Sequence, residues 1–274
     1  MLYYLFEYLD QQFDLPGAGL WRFITFRAGA AVILSLLISM VFGGRIVNFL
    51  RKLQIGESIR DLGLEGQLQK KGTPTMGGII IIMAILIPCL LMADLQNIYI
   101  LLMLLATTWM GIIGFVDDFI KVFKKNKEGL SGKFKVMGQI GLGLIVAITM
   151  LYHEDIVVRM PGEEAEQAEY EVIKSVEEAD GSEWVYVKTT LTNLPFLKNN
   201  NLDYRQLLWF LGDNADKWVW IIFIPIVIFI VTAVSNAANL TDGLEGLATG
   251  VSAIIGVTLG IFAYVSGNAI AAKY

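Results

Sequence analysis

Apolar runs dominate this chain, and polar stretches of two different kinds separate them. Six runs approach or reach the ~18 residues that a membrane-crossing helix needs. They lie at approximately 21–42, 76–93, 98–119, 134–152, 218–234 and 247–265. Pro88 and Pro225 fall inside two of them and are expected to kink those helices. Trp21, Tyr99, Tyr152, Trp218 and Trp220 stand near the ends of runs, where membrane-interface aromatics collect. Arg22 and Arg27 lie near the start of the first run, within snorkelling reach of the interface. The pattern predicts an all-α, polytopic transmembrane helical bundle.

The polar stretches set the orientation. Arg45, Arg51, Lys52, Arg60, Lys70 and Lys71 lie between the first and second runs. Lys121, Lys124, Lys125, Lys127, Lys133 and Lys135 lie between the third and fourth, whereas the turn at 94–97 has no base. Short cytoplasmic loops carry the excess of lysine and arginine, so both basic loops are expected in the cytoplasm. The two ends of this stretch and the long segment after the fourth run then fall outside.

That long segment differs in composition from the rest, which suggests three parts: membrane spans at 1–152, an extracytoplasmic insertion at 153–217, and further spans at 218–274. The first half of the insertion is acidic, with Glu163, Glu164, Glu166, Glu169, Glu171, Glu177, Glu178, Asp180 and Glu183. Residues 184–190 read as a strand, and 169–176 are placed to pair with it as a small β-hairpin. A solvated loop fits the same acidic composition equally well.

Composition agrees with membrane insertion. The 274 residues are 55% hydrophobic and only 17% charged, with a mean hydropathy of +0.59. A soluble domain of this size carries more charge. The net charge of −5 says little until charges are assigned to sides, and Cys89, the single cysteine, excludes an internal disulfide. The first sixteen residues carry acids rather than a basic region, unlike a cleavable signal peptide. No nucleic-acid partner is expected.

Three polar clusters carry candidate chemistry. Asp117 and Asp118 stand together at the end of the third run, with Lys121 and Lys125 at helical spacing behind them. Adjacent carboxylates at a membrane edge are costly and need compensating cations, and acids in that position are functional by default. Simple ion pairing would contribute only ~0–1 kcal/mol, a poor reason for placing two acids there. The second cluster, Lys70-Lys71-Gly72-Thr73-Pro74-Thr75-Met76-Gly77-Gly78, joins lysines to a turn that opens a helix. Free backbone N–H groups at such a start attract anions, although a plain capped start looks the same. The third, at 235–246, spaces Asn236, Asn239 and Asp242 every three residues and adds Glu245. One such residue suffices to stop a helix, so the count favours a ligand site. His153, the only histidine, is expected at the outer interface.

The wording and order of three segments, 72–78, Val116-Asp117-Asp118 with Lys121, and Asn239-Leu240-Thr241-Asp242-Gly243, resemble the phospho-N-acetylmuramoyl-pentapeptide transferases. These belong to the polyprenyl-phosphate N-acetylhexosamine-1-phosphate transferase superfamily. The resemblance implies a Mg2+-dependent transfer of phospho-N-acetylmuramoyl-pentapeptide from its UDP carrier to undecaprenyl phosphate, giving lipid I and UMP in peptidoglycan synthesis. It implies catalytic roles for Asp117 and Asp118, one of which would deprotonate or orient the lipid phosphate, and metal binding on one or both. Lys70, Thr75, Lys121, Lys125 and Lys133 match positions linked to phosphates or the carrier lipid. Asn239 and Asp242 match the nucleotide pocket.

Glu245 stands where many relatives have Asp, and its longer side chain bears on base recognition; Gln67 stands where relatives often have His. The family fold has ten spans against six here, so the stretch resembles an N-terminal portion and is expected to be inactive alone. The resemblance also implies the bacterial inner membrane, a cytoplasmic active site, membrane lipids as surroundings, a homodimer and inhibition by nucleoside antibiotics. Competing readings are an N-acetylglucosamine-1-phosphate transferase of the same superfamily and a cation or proton transporter using Asp117, Asp118 and Asp242. A structural scaffold would leave the aligned acids and lysines unexplained.

Overall fold

The computed structural model describes residues 1–53, 76–124, 126, 128–177, 182–194, 201–242 and 246–266. They fall into two units, Met1–Gly138 with Ala237–Tyr274, and Gln139–Asn236.

The first unit opens with α1 (Leu2–Phe13) and a 3-10 turn (Ala18–Arg22), followed by α2 (Ile24–Leu53), α3 (Gly78–Met92) and α4 (Ile98–Phe123). The first part of α5 (Gly132–Tyr152) and α9 (Leu247–Ser266) belong to it as well. Helix α2 packs on α3 and α3 on α4. At 30 residues α2 is roughly 45 Å long, so it outruns the first apolar segment and carries Arg51 and Lys52 in its last turn. Cations there complement the negative end of the helix dipole. Helix α1 was not foreseen in the sequence. Its Tyr4 hydroxyl donates to Asp94 Oδ1 at 2.7 Å, and the Arg27 guanidinium lies 4.1 Å from the centre of the Tyr3 ring. Asn97 caps α4, its side chain accepting from the N–H groups of Tyr99 at 2.9 Å and Ile100 at 3.4 Å.

Among the described residues, five helical segments have the length and apolarity to cross a membrane: Ile24–Leu53, Ile98–Phe123, Gly132–Tyr152, Ala215–Thr241 and Leu247–Val265. The second of the six expected spans differs. It is a helix of 15 residues, roughly 22 Å long, and falls short of the ~30 Å hydrocarbon layer. The helix starts at Gly78 rather than at the expected Met76 because Met76 takes a left-handed φ of 66°.

The second unit holds most of α5, the insertion, α7 (Ala215–Trp218) and most of α8 (Trp220–Thr241). Helices α5 and α8 meet closely, since a Cβ on Gly143 would stand 2.8 Å from Ile228 Cα. Small residues of this kind let membrane helices approach and hydrogen-bond. Beside that contact Gln139 donates to Ser235 Oγ at 3.0 Å and accepts from Asn236 Nδ2 at 2.9 Å.

The expected hairpin is present and extended by a third strand. Strand β2 (Val172–Glu177) pairs antiparallel with β3 (Glu183–Val187), from Val172 opposite Val187 to Glu177 opposite Glu183. Strand β1 (Val158–Pro161) pairs on the other edge of β3, giving the order β1-β3-β2. The helix α6 (Gly162–Gln167) covers it, burying Met160, Ala165, Val185 and Val187 together. Two short strands follow, β4 (Leu191–Asn193) and β5 (Asn201–Asp203), then a 3-10 segment (Tyr204–Asn214). Its Tyr204 and Leu208 pack on Val219 and Phe223 of α8 and the residue before it.

One charge cluster ties this unit together. Asp203 is buried and receives Arg205 Nε at 2.9 Å, Arg205 Nη2 at 2.8 Å and the Tyr170 hydroxyl at 2.8 Å. Burial alone would raise the Asp203 pKa, but the Arg205 fork, the Arg205 N–H and Tyr170 together hold it below the usual carboxylate range. A depressed carboxylate contributes stability above its unfolded value of about 3.9, and the contribution fades as pH falls through the folded value. Asp203→Asn is expected to cost on the order of 3 kcal/mol and to flatten the loss of stability below about pH 4. Thermal unfolding in detergent across pH 3–7 checks this; an unchanged midpoint at neutral pH would contradict it.

Candidate active site

The end of α4 has two sides. Phe115, Phe119 and Phe123 repeat every four residues and stack along an exposed stripe, with neighbouring ring centres 6.2 and 4.7 Å apart. Asp117 and Lys121 share the same four-residue spacing half a turn away, so the helix that offers aromatics to one side places acid and base on the other.

Asp117 is 8% exposed and bonded from three directions. Lys121 Nζ lies 2.6 Å from Oδ2, Lys135 Nζ lies 2.9 Å from Oδ1, and the Leu130 N–H donates to Oδ1 at 2.8 Å. These donors come from α4 itself, from the first turn of α5 and from the loop between them. Asp118 is treated differently. Its side chain is 34% exposed, and Lys121 at 3.7 Å is its ion partner among the described residues. Two neighbouring acids thus have unequal environments: one saturated, one with open coordination positions.

The loop closes on Asp117 because Gly129 permits it. Gly129 has φ +70°, and a Cβ there would stand 2.5 Å from Asp117 Oδ1 and 2.7 Å from Lys121 Cε. Asn126 shapes the approach by accepting from the Glu128 N–H at 3.1 Å, and its carbonyl accepts from the Gly129 N–H at 3.1 Å.

The remaining sequence candidates are placed as follows. Lys133 is exposed and enters no ion pair among the described residues. Asn239 and Asp242 are exposed at the end of α8, and Asp242 donates its N–H to the Ala238 carbonyl at 3.0 Å. Among the described residues no hydrogen bond or ion pair joins either of them to Asp117 or Asp118. Asn236, aligned with them by spacing, is committed elsewhere through its bond to Gln139. Lys70, Thr75, Lys125 and Glu245 lie outside the described residues. Lys135 and Gly129 were not singled out from sequence. Lys135 is legible there only as one of several loop bases, and Gly129 as one more glycine before a helix.

No group of three or more acids, cysteines or histidines gathers as a metal cage among the described residues. The donor set instead suits Mg2+, which commonly takes one or two carboxylates and completes its shell with water and substrate phosphates. The open carboxylate of Asp118 fits that requirement better than Asp117, both of whose oxygens already face ammonium groups.

Comparison with known proteins adds independent information. Residues 183–274 match the family Glycosyl transferase family 4, and residues 70–82 match Phospho-N-acetylmuramoyl-pentapeptide-transferase signature 1. The phospho-N-acetylmuramoyl-pentapeptide-transferase of Flavobacterium psychrophilum is 54% identical over all of this chain and 66% of its own length. That of Parabacteroides distasonis is 57% identical over 98% of this chain and 62% of its own length. That of Porphyromonas gingivalis is 52% identical over all of this chain and 64% of its own length. The chain therefore spans a little under two thirds of these relatives.

The close approach at Gly129 makes a direct test of the site's construction. Gly129→Ala is expected to push the loop off Asp117, strain a positive-φ residue and destabilise the protein by about 1–3 kcal/mol. An unfolding midpoint in detergent equal to that of the unsubstituted protein would contradict this.

Proposed function

The chain belongs to the phospho-N-acetylmuramoyl-pentapeptide transferase family, and on that premise we propose that the natural protein makes lipid I. Undecaprenyl phosphate attacks the sugar-linked phosphorus of UDP-N-acetylmuramoyl-pentapeptide, the diphosphate bond of the donor breaks, and UMP leaves. A new diphosphate joins the lipid to the sugar. The signature at 70–82 favours the muramoyl substrate over N-acetylglucosamine.

The observation that carries the reading is the unequal acid pair at the end of α4. Phosphoryl transfer is mostly placement and charge stabilisation. Lys121 and Lys135 converge on Asp117 at 2.6 and 2.9 Å and form a fixed cationic wall against which phosphate oxygens can settle. Asp117 keeps those ammonium groups oriented. Asp118, with its more open carboxylate, is the residue to hold Mg2+ together with substrate phosphates. When bound, that ion would neutralise charge on the diphosphate. The same carboxylate would orient the attacking lipid phosphate. Asn239 and Asp242 are assigned to the uridine nucleotide, and Lys70, Thr75, Lys125 and Lys133 to phosphates and the carrier lipid. By the distribution of bases, the site faces the cytoplasm from the inner membrane.

The test is UMP release by the natural full-length protein supplied with both substrates and Mg2+. Asp117→Asn and Asp118→Asn are each expected to lower turnover at least about a hundredfold, with Lys135→Ala falling in the same direction. Variants of both acids that keep turnover within twofold would overturn the assignment. The 274-residue stretch alone is expected to release no UMP.

A further inference from the structure

The second unit contains a cavity of about 310 Å3 where the insertion meets the ends of α5 and α8, and the transferase reading does not use it. Its wall combines two kinds of surface. Met150, Leu151, Val219 and Trp220 supply apolar and aromatic groups from the helix ends. Lys188, Thr190, Tyr170, Arg205 and Lys217, with one acid, Asp216, supply polar groups from the insertion and its return to the membrane.

Among the lining side chains the cations outnumber the acids, Lys188, Arg205 and Lys217 against Asp216. Arg205 is matched by Asp203 at 2.8 Å and by Asp216 at 3.4 Å. Lys217 is exposed and enters no ion pair among the described residues. The Lys188 ammonium donates to the His153 carbonyl rather than to a carboxylate. Burial pushes the Lys188 pKa down, and Glu154 only partly opposes that effect, as expected of a cation short of counter-charge. The Thr190 hydroxyl is buried without a hydrogen-bond partner, and a buried polar atom of that kind calls for one.

We propose that this cavity binds the phosphodiester headgroup of an anionic phospholipid at the extracytoplasmic membrane surface. Lys188 and Lys217 meet the phosphate, and Thr190 bonds a headgroup or ester oxygen. Location selects a lipid over a free phosphate. The cations sit where two apolar helices end, and the stacked Trp218 and Trp220 rings, 6.3 Å apart, mark the kind of interface at which headgroups lie. The acyl chains then continue along the apolar surfaces of α5 and α8. This inference rests on reading those helices as membrane spans, not on the transferase activity.

The experiment is native mass spectrometry of the delipidated full-length protein in detergent, titrated with phosphatidylglycerol or phosphatidylethanolamine. The unsubstituted protein is expected to retain phosphatidylglycerol at least fivefold better than phosphatidylethanolamine. Lys217→Gln should lose at least fivefold of that binding, and Thr190→Val a smaller amount. Lys217 is exposed, so its variant preserves the fold, and unfolding midpoints verify that. Equal retention of both lipids, or full retention by Lys217→Gln, would overturn the proposal. Competition by millimolar inorganic phosphate that displaces the lipid entirely would reassign the site to a free anion and overturn it too. Because the readout is lipid retention, the result stands whether or not the protein turns over a UDP-sugar.

Discussion

A carboxylate at the edge of a membrane helix must be stabilised as an ion or abandoned, and the end of α4 is organised around that constraint. Asp117 is buried, so its charge is satisfied locally by two ammonium groups and a backbone N–H. Those donors come from three places in the chain, and meeting that demand fixes the start of α5, the approach of Leu130 and the glycine at the tightest point. Asp118, one residue away, escapes the demand because its side chain is a third exposed. The contrast turns a pair of like charges into two different tools: one that holds cations in place, and one with coordination positions free.

The insertion solves a similar problem with a different cation. Asp203 is even more deeply placed, and the planar Arg205 fork engages it while stacking on Tyr170, with 4.1 Å from guanidinium to ring centre. An arginine suits a buried pair because its rigid guanidinium presents several donors at once: Nε and Nη2 both reach Oδ2, and the Arg205 backbone N–H meets Oδ1 at 2.9 Å. Lysines serve the α4 site differently: each ammonium is a compact point charge held in place by an Asp117 oxygen, at 2.6 Å for Lys121 and 2.9 Å for Lys135. The choice of cation thus distinguishes the insertion's cluster from the one at the end of α4.

Much of this was legible in the sequence where a physical period or a transfer cost was involved. Apolar length identified the spans, and strand composition identified the β2–β3 hairpin, because both signals are local. The 15-residue helix α3 was read as longer, since hydropathy alone cannot register that Met76 has left helical geometry. Helix α1 was missed because its twelve residues are too short for a span and lack a capping side chain. At the site, the link from Asp117 to Lys121 followed from four-residue spacing, but Lys135 arrives from another helix and Gly129 matters through a contact rather than a pattern. Asn236 shows the converse error: three-residue spacing grouped it with Asn239 and Asp242, yet its side chain is spent on Gln139.

The division of labour between the two acids is the central claim, and metal binding tests it without waiting for turnover. Mn2+ titration of the full-length protein, followed by electron paramagnetic resonance in the presence of the UDP donor, reads the bound ion directly. The account predicts that Asp118→Asn abolishes the bound signal and that Asp117→Asn weakens it less. A signal that survives in Asp118→Asn but vanishes in Asp117→Asn would contradict it.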